Sequence, residues 1–506
     1  MLSNCVFGIF MGKYKVYLLI NERSFKMSNN KITIIQLNDL HGYLEEHWEH
    51  FWDGNHSKYM RVGGLPRICS FIENIKKESN NDFVFLDGGD TFHGTYPVVS
   101  SKGEVLIPLL NDLSLDAMTA HWDFAYGPDR LYDIVDKLNY PMIAGNCYHK
   151  DTDKLVFPPY IIKEVKGVKF GIIGIAATIV DKTMPKHFSE GIYLTLGNKE
   201  LPKYIKELKG KGAEIIMLNS HLGFPQEMQI AQEVNGIDII LSAHTHNRVY
   251  EPAEVNDTII IQSGCHGSFL GRLDITIEQG NIKSYEHELV VLDDKYEENI
   301  NMKSKIEEIM KPHRNKLDKI VGYTKTNLDR YQVLESTMDN FLLQSLIDYT
   351  NAEIAFSNGW RYGAPVHTGP ITENDLWNII PVNPPVSTTK ITGEELWEMM
   401  EENLDRTFAK NPYDQMGGYV KRCLGLNLYF KIENPKGERI QEFFINDKPL
   451  NKSRFYNAVF VTSQGIPEKY GKDRKNLNIN AVEAMKIYLE KKKTIASPLI
   501  NTIVAV

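Results

Sequence analysis

The chain has 506 residues, 42% of them hydrophobic and 24% charged, with a formal net charge of −8. That length exceeds one ordinary domain, and the composition is that of a globular enzyme of two large domains. The negative balance excludes a nucleic-acid polymer as the expected partner, although an anion pocket can be locally positive inside an acidic protein. Five isolated cysteines, Cys5, Cys69, Cys147, Cys265 and Cys423, form neither a disulfide framework nor a CxxC zinc site and read as reduced structural thiols.

In the first 26 residues, VFGIF and VYLLI flank Lys13 and Lys15 without a continuous apolar core or a small-residue cleavage site. This fits neither a signal peptide nor a membrane span. Residues 1–30 are therefore read as a tail or a misplaced start, and the expected location is the cytoplasm, with no membrane and no obligate protein partner.

From Lys31 to about Asp293 the pattern is strand, polar turn and helix, repeated. The apolar runs ITIIQL, FVFL, a weaker LDAMT, EIIML and IDIIL are too short for long helices and read as buried parallel strands. With the paired strands of FPPYIIKEVKGVKFGIIGIA they predict an α/β catalytic domain over 31–293, built as a two-layered sheet sandwich with helices outside. Residues 294–320 are charged with helical spacing and read as a helical linker that Pro312 kinks or divides. An α+β substrate-binding domain is expected over 321–506. It would hold helices in ESTMDNFLLQSLIDYT, TENDLWNII and TGEELWEMMEENLDRTF, and strands in EIAFSN, LNLYFKI, ERIQEFFI and YNAVFVT.

Each apolar run of the first domain leads into an acidic or imidazole group: Asp39 and His41 in QLNDLHG, Asp90 in FLDGGD, His121 in AHWDFAYG, His221 in LNSHLG, His244 and His246 in LSAHTH. Open α/β sheets collect ligands beyond the carboxyl ends of their strands, so distant segments converge on one crevice. Any one of these residues is readily explained as a helix cap or a hydrogen-bonded loop residue. The full set at successive strand ends points to a metal centre. Carboxylates with neutral imidazoles suit Mn, Zn or Fe rather than Ca.

The set resembles the metallophosphoesterase domain of the bacterial 5'-nucleotidase and cyclic-phosphodiesterase family, whose pattern is DxH, GGD, GNHEFD, a lone H before G, and GHxH. ESTMDNFLLQSLIDYT followed by IAFSNGWR is similar to the opening of that family's carboxyl-terminal domain. The resemblance implies a phosphoester hydrolase with two divalent ions, Mn or Zn foremost and Fe as a third option. One ion would be held by Asp39, His41, Asp90 and His246, and the other by Asp90, His121, His221 and His244. Two ions about 3.5–4 Å apart lower the pKa of a bridging water, which would attack directly as hydroxide. The implied substrate is a small phosphorylated molecule, foremost a nucleotide.

The family's GNHEFD is altered here to AHWDFA. Aligned through Phe124 and Tyr126–Gly127, this puts His121 in the metal-binding asparagine slot, Trp122 in the catalytic-histidine slot and Ala125 in the slot of its aspartate partner. A shift by one residue instead makes His121 the catalytic histidine; the first alignment is favoured because it leaves a full metal shell. An indole donates a hydrogen bond but cannot shuttle a proton near neutral pH. Asp123 is expected to orient His121 or a neighbouring group. The altered segment, with RVGGLPR at 61–67 and NPYDQMGG at 411–418, also resembles the SoxB-type thiosulfohydrolases, which implies thiosulfonate hydrolysis as the alternative. An anion-binding protein with little turnover is a third reading.

On the substrate side, Arg361 and Asn358 in SNGWRYG match the nucleotidase NGG–R segment, and a guanidinium grips phosphate or sulfonate through two hydrogen bonds. Arg422 is the next candidate anion contact, with an interdomain salt bridge as the alternative for both arginines. Tyr419 and Tyr470 are candidates for stacking on a base, with a packed or surface loop aromatic as the safer reading of each.

Overall fold

The computed structural model describes residues 31–506, so the expected tail at 1–30 lies outside the described residues. Ile32 and Ile34 alternate with Thr33 along Lys31–Leu37, and this period of two turns one set of side chains toward a facing sheet. Ile32, Ile34, Val84 and Leu86 pack against Ile172, Ile215, Met217 and Ile239 in one buried cluster. The strand Lys31–Leu37 runs parallel to Phe83–Asp87, which runs parallel to the two-residue strand Ala117–Met118. Antiparallel Phe269–Glu278 and Asn281–Val291 complete that five-stranded sheet. The facing sheet has six strands. Val168–Ile175, Ile215–Ser220, Ile239–Ser242 and Thr258–Ile261 lie parallel at its centre, with antiparallel Tyr160–Val165 and Ala253–Val255 at its edges.

Helices Leu201–Gly210 and Phe224–Glu233 cover the outer face of the six-stranded sheet through Leu201, Ile205, Leu208 and Ile230. Helix Leu65–Ser79 covers the other sheet. The parallel strands that lead into the candidate ligands thus belong to two sheets, whose carboxyl ends open on the same side of the molecule.

After the helix Ile300–Met310, Pro312 interrupts the ladder and a short helix Arg314–Leu317 follows. The carboxyl-terminal part has its own five-stranded sheet in the order Tyr419–Leu424, Ile354–Gly359, Phe455–Val461, Pro385–Thr392, Lys472–Asn480, beside four-stranded and three-stranded sheets. Its helices start where the sequence supplies caps: Ser336 accepts from Asp339 N, and Thr372–Asp375 and Thr392–Glu395 form capping boxes. Leu396, Met399, Met400 and Leu404 of helix Gly393–Phe408 pack on Ile354, Phe356 and Val420. A two-layered sandwich describes the paired sheets of the first part only. The molecule as a whole has several mixed sheets, because antiparallel strands, some of them distant in the chain, flank the parallel pairs.

Candidate metal centre

Asp39 and His41 follow the strand Lys31–Leu37, Asp90 follows Phe83–Asp87, His121 follows Ala117–Met118, His221 follows Ile215–Ser220, and His244 and His246 follow Ile239–Ser242. All seven meet. Asp39, His41, Asp90 and His246 form one group and Asp90, His121, His221 and His244 another, each with its candidate ligand atoms within 4.8 Å of one another. Asp90 is shared. The loops that carry them are tightly turned: Asp39, His41, Asp90, His244 and His246 all have positive φ, between 48° and 75°, a conformation that collects at functional sites where surrounding structure enforces it. Gly89 is required for the same reason, since a Cβ there would lie 2.8 Å from the Thr119 carbonyl and 3.1 Å from His221 Nδ1.

Neighbouring groups aim the donors. His221 Nδ1 lies 2.6 Å from the Gly88 carbonyl and His41 Nδ1 3.2 Å from that of His93, which turns each Nε2 lone pair inward, as ligating imidazoles require. Asp39 Oδ2 accepts from Asn38 Nδ2 and the His244 amide, leaving Oδ1 3.1 Å from His246 Nε2. Asp90 lies 3.1 Å from His121 Nδ1 and 3.3 Å from His221 Nε2. Asp39 Oδ1, His121 Nε2, His221 Nε2 and His244 Nδ1 are buried without a hydrogen-bond partner. Buried polar atoms left this way are costly, and two cations would satisfy them, so the residues fit a dinuclear divalent centre.

Without cations the charges perturb one another. Burial disfavours the His221 cation, but Asp90 and Asp39 outweigh it and raise His221 to about 10. Burial, opposed by Asp90, lowers His41 to about 3, and burial together with Arg361 holds His244 well below the usual imidazole value.

The centre floors a cavity of about 580 Å³ between the two parts of the chain, lined by Trp122, Asn358, Arg361 and Tyr419 among others. Arg361 donates to the His244 carbonyl and to that of Gly418, and its guanidinium lies 5.2 Å from the Tyr419 ring centre. Asn358 donates to Gln464 Oε1 at 3.0 Å. Trp122, 7% exposed, stacks on His93 with ring centres 4.7 Å apart.

Two expectations change. Arg422 is not a cavity group: it is 1% exposed, 3.2 Å from Asp339 Oδ2, and donates to the Gln332 carbonyl. Asp123 does not face a reacting centre. Its two oxygens accept from the backbone amides of Asp90, Thr91, Phe92 and His121 at 2.9–3.1 Å, so it ties the Asp90 loop to the His121 loop rather than orienting the imidazole. Tyr470 is 6% exposed and bonded to Glu402, the packed aromatic of its safer reading. Sequence reasoning missed His93, whose signal is its place in DTFHG beside Asp90, and the cavity residues Lys421 and Gln464.

Residues 32–248 match the calcineurin-like phosphoesterase family and residues 319–463 the 5'-nucleotidase carboxyl-terminal domain. The chain therefore has the calcineurin-like metallophosphoesterase fold of 5'-nucleotidase type, with a dinuclear metal-binding cluster. It is similar in structure to the sulfate thiohydrolase SoxB of Thermus thermophilus, with 21% identity, a TM-score of 0.87, and 94% of this chain and 96% of that one covered. A 5'-nucleotidase precursor, also from Thermus thermophilus, is similar at 21% identity, a TM-score of 0.82 and coverage of 94% and 99%. In sequence, the trifunctional nucleotide phosphoesterase protein YfkN of Bacillus subtilis is 25% identical over 81% of this chain, and the match spans 30% of that longer protein.

The cytoplasmic expectation is overturned. The similar proteins include a 5'-nucleotidase precursor and the snake venom 5'-nucleotidases of Naja atra and Gloydius brevicauda, the latter enzymes of a secretion. Among the described residues no helix is long and apolar enough to cross a membrane.

Proposed function

We propose that the chain is a divalent-metal-dependent phosphoester hydrolase acting on small phosphorylated molecules, 5'-nucleotidase-like in its chemistry. The observation that carries this reading is the pair of four-residue groups sharing Asp90 at the floor of one cavity. Mn or Zn suits the mixed imidazole and carboxylate set, with Fe also compatible. When bound, such a pair of ions lowers the pKa of water and neutralises charge on the substrate's oxygens.

The protein's own groups do the rest. Asp90 bridges the two halves of the centre, and His121 completes the second half. Arg361, poised over His244, offers a guanidinium to the phosphoryl oxygens, and Asn358 and Tyr419 line the space beyond it. Burial and Glu49 push the Cys265 thiol pKa well above the usual value, which disfavours its thiolate. The working division is a catalytic part over 31–293, a linker over 294–320 and a substrate-binding part over 321–506.

A second reading, hydrolysis of a thiosulfonate, is favoured by Trp122 and Ala125, which line a side cavity with His93 and supply no proton-shuttling pair. A sulfur leaving group needs a general acid less than an alkoxide does. Chelated and metal-reconstituted enzyme assayed on nucleoside monophosphates, cyclic nucleotides, simple phosphomonoesters and organic thiosulfonates separates the two. Metal-dependent phosphate release supports the first reading. Thiosulfonate turnover with no phosphate release under the same conditions replaces it with the second.

A further inference from the structure

The cavity carries more positive charge than one phosphoryl group uses. Its walls present Lys182, Lys186, Arg361, Arg406 and Lys421, with Glu468 as the carboxylate outside the metal cluster. Lys182 is held by Asp181 at 3.0 Å and Arg406 by Glu402 at 2.8 Å. Lys421 differs from both. It is 8% exposed, its amino group donates to the Gln464 carbonyl, and among the described residues no carboxylate lies within ion-pair distance of it. Burial, with Arg406 adding to it and Glu402 opposing, lowers its pKa to about 8. An ammonium buried without a counter-charge is costly, so its place at a cavity wall calls for an anion that the fold itself does not provide.

The local structure directs Lys421 there. Along strand Tyr419–Leu424 the side chains alternate: Tyr419 and Lys421 line the cavity, while Val420 enters the core and Arg422 turns to Asp339. Opposite, Thr462 adopts φ 60°, a strained conformation for a β-branched residue, and the turn it begins brings Ser463 and Gln464 to the cavity. Gln464 is fixed from both parts of the chain: its Oε1 accepts from Asn358, and its Nε2 donates to the Thr183 carbonyl at 2.9 Å. The wall around Lys421 thus presents amide, hydroxyl and ammonium groups, with the Gln464 side chain held by hydrogen bonds from both parts of the chain.

We propose that Lys421, with Arg406 beside it, forms a second anion subsite, so that the substrate is a phosphoester whose leaving group carries a second anionic group, a carboxylate or a phosphate. This rests on the phosphoester reading above, which supplies the first anion position at the metal cluster. The test uses stable probes and the metal-loaded protein: alkylphosphonates of two to five carbons, each beside the ω-carboxyalkylphosphonate of equal length, titrated by calorimetry. At one length the carboxylate should tighten binding about tenfold or more. That gain should vanish in Lys421→Met and persist in Lys421→Arg, while circular dichroism reports the fold of both variants. Equal affinity of the paired probes at every length, or a gain that survives in Lys421→Met, overturns the subsite alone. Binding of neither series overturns the phosphoester reading and the subsite with it.

Discussion

Lys421→Met should make the protein more stable at pH 7. A lysine whose pKa falls from 10.5 to about 8 on folding differs by about 2.5 units, and at about 1.36 kcal/mol per unit the cationic form costs the folded state about 3 kcal/mol. Removing the bond to the Gln464 carbonyl offsets about 1 kcal/mol, which leaves a net gain of about 2 kcal/mol. The pH dependence has a definite sign. Below pH 8 both states hold the proton and the folded state bears the full cost. Between pH 8 and 10.5 the folded protein sheds its proton first and the cost shrinks, so the variant's advantage disappears toward pH 10.5. Because a chain of this size need not unfold in one step, the reading is the urea midpoint of the transition that includes the carboxyl-terminal part, taken at intervals from pH 7 to 10.5. A variant less stable than the parent at pH 7, or a difference independent of pH, would refute the reasoning: Lys421 would then be stabilised by the fold itself and would need no external anion.

Asp123→Asn keeps one acceptor oxygen but sets an amide nitrogen against two backbone donors, stranding two of the four amides now satisfied. The expected cost is about 2–6 kcal/mol, seen as a lowered unfolding midpoint and reduced metal occupancy; unchanged values of both would remove its role as a clamp. At His121, alanine should lose the second ion and most activity, whereas asparagine, which still offers one ligand atom, should partly restore both; full occupancy in His121→Ala would end the ligand assignment. Because metal binding must displace the proton that His221 holds up to about pH 10, affinity should rise about tenfold per pH unit from pH 7 to 9, and a flat profile in competition titrations would contradict this.

The metal set was legible because each ligand follows a buried strand, and strand ends converge on one side of the layered sheets. Even the weak LDAMT segment, reduced to the two-residue strand Ala117–Met118, delivers His121, since pairing with Phe83–Asp87 rather than length fixes its register. The carboxyl-terminal helices were legible from their caps and periodicity. The role of Arg422 was not, because adjacent cationic residues on one strand point to opposite faces, and only the fold tells which of Lys421 and Arg422 meets the cavity. His93 escaped notice because it leaves a loop instead of a strand end, and its partner Trp122 is remote in the chain. Asp123 acts through backbone amides, which no side-chain motif records. The pairing of sheets was readable from the apolar runs, but the antiparallel strands that make the larger sheets mixed include long-range partners such as Lys31–Leu37 with Phe269–Glu278.

The most direct test of the account is the metal content of Asp90→Ala measured beside the parent protein, both purified without chelator and then reconstituted. Because Asp90 belongs to both ligand groups, the parent should hold two divalent ions per chain and show metal-dependent phosphate release. The variant should retain neither ion at comparable concentrations and lose that activity. A parent that binds no divalent ion, or an Asp90→Ala protein that keeps both ions and its turnover, would contradict the dinuclear centre on which the function is built.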